Sequence, residues 1–189
     1  AANLVAVPGC YPTASILGLL PVIPYLQKNS KIILDAKSGI SGAGKSSVEN
    51  GLEEDIKENF KSYNVGFHRH QPEIKDFLKT EFNLDHEIIF IPHLLPLFRG
   101  EYVTLYCEVS QNDLDLNELY ESYYEKHQLV RVKDKGEIAE IKDVINTFYC
   151  DISVSYAFQS NTIVVNSAID NLLKGAASQA IQCLDIMSS

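Results

Sequence analysis

Two β-rich runs, Phe148 to Tyr156 and Thr162 to Ala168, are joined by the short polar turn Gln159-Ser160-Asn161. A parallel pair needs a crossover of about a dozen residues or more, so this spacing predicts an antiparallel hairpin and argues against a wholly parallel sheet. Tyr102 to Val109 alternates Tyr/Val/Thr/Leu/Tyr/Cys/Glu/Val and reads as a long strand. Lys31 to Lys37 and His86 to Ile91 read as shorter strands, the second ended by Pro92 and Pro96. Between them fall helical patterns. One runs from Cys10 to a break at Pro21 and Pro24, and another, Val48 to Phe60, has apolar residues at Val48, Leu52, Ile56 and Phe60. The rest are a run from Pro72 through Phe82, an acidic run from Asp113 to His127, and a final run from about Asn171 through Met187. The expected fold class is therefore α+β, a largely antiparallel mixed sheet covered by helices.

A length of 189 residues suffices for one domain with a full core, and residues 1–189 show no repeat, low-complexity tract or linker. The net charge of -9 argues against a nucleic-acid groove or an anionic membrane surface as main partner, though not against a small anionic substrate in a locally basic cleft. No apolar run approaches the length of a membrane span. Cys10, Cys107, Cys150 and Cys183 are widely spaced and form no metal-ligand grouping, which favours a reducing cytoplasm. The first residues have neither an initiator Met nor a charged signal region, and the expectation is an excised domain rather than a secreted chain.

The chemistry centres on Val7-Pro8-Gly9-Cys10-Tyr11-Pro12-Thr13. Pro12 is suited to a first helical position and predicts a helix starting just after Cys10, which places Cys10 at the helix amino end. Free N–H groups and the positive end of the macrodipole there favour a thiolate, so Cys10 is a candidate nucleophile with a depressed pKa. The competing reading is a small buried core thiol. In Phe67-His68-Arg69-His70, an extended backbone would project His68 and His70 to one face and Arg69 away from it. Either histidine could serve as acid or base beside a thiolate, or both could be satisfied surface groups. Gly39-Ile40-Ser41-Gly42-Ala43-Gly44-Lys45-Ser46 matches the P-loop pattern letter for letter. No later strand ends in a convincing magnesium-binding acid, and a P-loop usually opens a parallel domain. Arg99, in a proline-bounded apolar turn, could bind an anion bidentately.

Six segments occur in an order that resembles the N-acetyl-gamma-glutamyl-phosphate reductase family. They are Pro8 to Thr13, Asp35 to Gly44, His68-Arg69-His70 with Pro72-Glu73-Ile74, Pro92-His93-Leu94 through Arg99-Gly100, Tyr149 to Ile152, and Ser167 to Leu172 with Lys174 to Ala177. The resemblance makes the Walker match look accidental. It implies the C-terminal domain type shared with glyceraldehyde-3-phosphate and aspartate-semialdehyde dehydrogenases, serving for substrate binding, catalysis and dimerisation. The family's N-terminal Rossmann domain, which binds NADP, is absent from this stretch, so the isolated chain is expected to be inactive. Cys10 is implied as the thioester-forming nucleophile toward an acyl phosphate, with His70 or His68 as acid/base and Glu73 orienting an imidazole or neighbouring base. Ser38, Ser41, Gly42 and Arg99 are implied for substrate phosphate or carboxylate, and Gly9, Asn171, Lys174 and Gly175 for the nicotinamide side. A homodimer or homotetramer is expected. A sister reductase acting on aminoadipyl or aspartyl phosphate is the near alternative. Phe148 departs from the small polar residue or Asn expected before the aromatic-Cys-Asp-Ile motif, and no catalytic role is carried over for that strand.

Overall fold

The computed structural model describes residues 3–44 and 48–188. Its frame is one seven-stranded mixed sheet in the order β2-β3-β1-β4-β7-β6-β5. The strands are β1 (Lys31–Gly39), β2 (Lys61–Ser62), β3 (Glu87–Leu95), β4 (Glu101–Glu108), β5 (Val130–Val132), β6 (Cys150–Tyr156) and β7 (Thr162–Ile169). Four of the neighbouring pairs are antiparallel, including the β6/β7 hairpin, and two are parallel, β1 with β3 and β5 with β6. The α-helices are α1 (Cys10–Leu19), α2 (Glu53–Ile56), α3 (His70–Phe82), α4 (Leu116–Tyr124) and α5 (Ser178–Ser188).

Strand alternation decides which face the helices cover. In β1, Ile32, Leu34 and Ala36 are fully buried, whereas Lys31 and Ile33 are exposed and Asp35 and Lys37 half-buried on the other face. The covered face joins Tyr11, Ala14 and Leu19 of α1 to Leu34, Leu105 and Val165 in a single core. Each large apolar side chain fully enclosed there contributes about 1.5–3 kcal/mol. Two tyrosines of α4 tie α1 down, the Tyr120 hydroxyl donating to Gly18 O at 2.6 Å and that of Tyr124 to Leu17 O. The α-helices therefore cover one face; on the other, the segment from Ala139 to Val144 packs over Tyr102 and Ala168, and Ile89, Ile91, Tyr106 and Val164 stay half-buried.

Three local expectations change. β3 runs through Pro92 to Leu95 instead of ending there. Tyr63 N–H donates to Pro92 O at 3.0 Å, so the N–H that proline lacks would point to the β2 side. There the neighbouring strand is only two residues long, and an edge position of this kind tolerates proline. The Val48 to Phe60 pattern forms a π-helical turn at Val48–Leu52 and the one-turn α2, with Ile56 buried and Phe60 exposed. Tyr63 to His70 is a set of turns rather than extended chain.

Candidate active site

α1 begins at Cys10, with Gly9 as an extended N-cap residue at φ -66° and ψ 167°. Thr13 closes the first turn by donating from both its N–H and its Oγ1 to Gly9 O, at 3.0 and 2.9 Å. The helix thus starts at Cys10 itself, not just after it, and Pro12 is the third helical residue instead of the first, a position where no intrahelical N–H bond is required either. Two glycines permit close packing around the cysteine. A Cβ on Gly9 would lie 2.4 Å from His70 Nε2, and one on Gly175 would lie 2.6 Å from Cys10 Cβ. Glu73 Oε1 accepts the Gly9 N–H at 2.9 Å. Its hydrogen bond therefore positions the cysteine loop, where orientation of an imidazole was expected.

Cys10 opens into a cavity of about 620 Å³ shared with Gly9, Ser41, Gly42, Arg69, His70, Asn171 and Gly175. The thiol is not acidified as its helical position predicted. Burial raises its pKa first, and the Glu101 carboxyl beside it raises it further, outweighing the lowering by hydrogen bonds to the Cys10 and Tyr11 backbone. His70 is only 7% exposed, and burial, followed by the His68 and Arg69 charges, lowers its pKa to about 4. A preformed thiolate–imidazolium pair is therefore not the resting state near neutral pH: thiol and imidazole are both uncharged. His70 Nδ1 has no hydrogen-bond partner among the described residues.

The two histidines are brought together by a turn, His70 N–H donating to His68 Nδ1 at 3.2 Å with ring centroids 4.8 Å apart. His68 is packed edge-on to Tyr11 and Tyr63 and tilted against Phe90. His70 is the one against Gly9 and in the cavity.

The remaining sequence candidates divide. Asn171 spans the cavity rim, its Nδ2 donating to Ser41 Oγ at 3.0 Å and its Oδ1 accepting Gly100 N–H at 2.8 Å. Ser38 is buried beneath Gly42, its hydroxyl donating to Gly39 O. Arg99 is turned elsewhere, with Nη1 2.5 Å from Asn146 Oδ1 and 3.4 Å from the buried Asp170 Oδ2. Lys174 is 3% exposed, donates to Gln182 Oε1 at 2.7 Å and lines a different cavity of about 580 Å³ behind α1. The glycine loop forms a 3₁₀ turn, Ile40–Ala43, and Lys45 and Ser46 of the P-loop match lie outside the described residues.

Sequence reasoning missed two residues. Arg69, expected to point away, lines the cavity with Cys10, because the segment is a turn. Glu101 is 0% exposed and opens β4, one residue before the expected strand start. Its signal was present in the alternation, since it shares parity with the buried Val103, Leu105 and Cys107.

This mixed sheet with a cysteine-headed helix on one face belongs to the class of semialdehyde dehydrogenase dimerisation domains. Residues 10–171 match the family described as semialdehyde dehydrogenase, dimerisation domain, and the chain belongs to it. Relatives named N-acetyl-gamma-glutamyl-phosphate reductase include those of Halothermothrix orenii, 45% identical over 98% of the chain and 54% of the relative, and Thermoanaerobacter sp. (strain X514), 41% identical over 98% and 55%. The chain thus spans about half the length of these curated relatives. Among solved structures, aspartate semialdehyde dehydrogenase II from Vibrio cholerae shares the fold with a TM-score of 0.78 at 17% identity, covering 98% of this chain and 62% of that one. Among the described residues no helix is long and apolar enough to cross a membrane.

Proposed function

We propose that the chain is the catalytic, substrate-binding and dimerisation part of an N-acetyl-gamma-glutamyl-phosphate reductase, with its cofactor held mainly by residues outside this stretch. The observation that carries the reading is the single cavity in which Cys10, His70, Arg69 and Asn171 meet, together with relatives of that name at more than 40% identity. Cys10 sulfur attacks the acyl carbon, and the bond from that carbon to the phosphate oxygen breaks, leaving a thioester and inorganic phosphate. The covalent intermediate splits one difficult displacement into two easier ones. Neutral His70 takes the thiol proton as sulfur attacks. An arriving phosphate dianion favours that protonation, and the imidazolium then donates to the acyl oxygen as charge collects there. Among the described residues Arg69 is the cation lining the cavity, and it binds the substrate's phosphate or carboxylate.

The cavity suits a flat ring against Cys10: its wall of Gly175, Ala176, Ala177 and Ala180 carries no side chain beyond a methyl, and a Cβ at Gly175 would press on Cys10 Cβ. When bound there, NADPH supplies the hydride that reduces the acyl carbon. Gly9, Gly175 and Asn171 would border its nicotinamide. All four cysteines are free thiols, in keeping with work in a reducing cytoplasm. The sheet face away from the α-helices, with Ile33 and Tyr106, pairs with a second copy of the chain, which sedimentation tests directly.

The deciding assay supplies the intact protein with N-acetyl-glutamate semialdehyde, phosphate and NADP. Wild type reduces NADP, and Cys10→Ser lowers turnover by about 10³-fold or more. Retained turnover in Cys10→Ser would sink the reading.

A further inference from the structure

Glu101 is the buried acid that the reaction above does not use. It lies in register with Ser38 of β1 on one side and Ile169 of β7 on the other, behind the cysteine and closed to solvent. Neither carboxyl oxygen has a hydrogen-bond partner among the described residues; its strand neighbour Ile169 packs at Gly175, which abuts Cys10, and the Glu101 and Cys10 ionisations influence each other. The titratable groups that feel its charge are Cys10 and Tyr11 of α1, Tyr63 after β2 and Cys150 of β6, all of them acids. A carboxylate enclosed among acids with no donor is costly, whereas the neutral acid is tolerated and can donate.

We propose that Glu101 is a further catalytic residue that works as an un-ionised carboxylic acid, its O–H free to turn and donate to the Cys10 sulfur as charge develops there, so that the sulfur carries negative charge only while Glu101 keeps its proton. Burial holds its pKa up at about 8, which leaves it protonated through the neutral range. The acid makes no net proton transfer. It donates to sulfur while charge is there, before attack and again when the C–S bond breaks and the aldehyde leaves. Above the ionisation of Glu101, a thiolate would have to stand beside a carboxylate, and the pair then shares one negative charge as closely spaced acids do.

The inference rests on Cys10 being the nucleophile, and one experiment separates the two failures. Cys10 alkylation by iodoacetamide is followed by peptide mapping from about pH 6 to 10. In the wild type the rate rises about tenfold per pH unit to about pH 8 and then levels. Glu101→Gln keeps a neutral donor but cannot ionise; its rate keeps rising past that point and is about tenfold above wild type near pH 9.5. Glu101→Leu offers no donor and is slowed about tenfold near pH 7. A wild-type profile that rises without levelling, a Gln profile that levels with it, or a Leu rate equal to wild type overturns the role of Glu101. The wild-type profile decides alone should a variant fail to fold. Wild-type Cys10 reacting more slowly than Cys107 and Cys150 near pH 7 would instead overturn the nucleophile itself, and the inference with it.

Discussion

Asp151, Asp170 and Glu101 are all 0% exposed on or just after three adjacent strands of one sheet, yet that sheet treats their carboxyls differently. Asp151, on β6, is gripped by Arg131 Nε and Nη2 at 2.6 and 2.9 Å and approached by Lys133 at 3.2 Å. Asp170, just after β7, accepts the N–H groups of Asn146, Leu172 and Leu173 at 2.8, 2.8 and 3.0 Å and has Arg99 at 3.4 Å. Asp170 thereby holds the corner from which the Asn171 segment turns into the cavity, and Asp151 ties β6 to Arg131 of β5 and to Lys133 just after it. Glu101 has no such partner and sits at the nucleophile instead. Paired buried acids stabilise architecture, because removing either partner strands a charge or several donors. An unpaired one is a liability to folding, and its place beside Cys10 is where that liability has a use.

The comparison breaks most readily at Asp170. Asp170→Ala orphans the Asn146 and Leu172 N–H groups, leaves Leu173 N–H only the Asp170 backbone oxygen and takes the carboxylate from Arg99, and should cost about 3–5 kcal/mol in denaturant unfolding. A cost under about 1 kcal/mol would show that the corner is not held this way. Glu101→Gln should do the reverse. The folded pKa of Glu101 lies above its unfolded value, so stability is fully present below about pH 4.5 and is lost as pH rises through about 8. The variant should therefore be more stable than wild type, by on the order of 3 kcal/mol near pH 9, with little difference near pH 5. A destabilised Gln variant at alkaline pH would contradict the contrast.

Gly9→Ala should push the His70 ring aside and cost about 1–3 kcal/mol, with turnover falling more than tenfold. His70 also sets an acid limit, its folded pKa of about 4 lying below the unfolded 6.5. Stability is present above about pH 6.5 and lost as pH falls toward 4, and His70→Asn should flatten that limb of a thermal-melting profile. The smallest effect belongs to the exposed Lys31–Glu87 pair at 3.2 Å, where Lys31→Ala should change stability by less than about 0.5 kcal/mol.

Much of this frame was legible because short-range rules set it. The link at residues 159–161 forces the β6/β7 hairpin, alternation marks β4, and Pro12 marks the first turn of α1. β5 escaped, since three residues carry no readable period. Arg69 and Arg99 exchanged places between expectation and structure. The first depends on a turn that the spacing of His68 and His70 could not reveal, and the second on Asp170, which lies 71 positions along the chain and draws it off.

The residues alone determined that a cysteine would head a helix, that two histidines and a glycine loop would be available to it, and that the sheet would be mainly antiparallel. Those are consequences of backbone stereochemistry and spacing, which act over a few residues. Charge state was decided only by the packed molecule. Whether Cys10, His70 and Glu101 hold protons depends on how completely water is excluded from each and on which acids stand beside it. Exclusion and adjacency arise when strands distant in sequence are laid side by side.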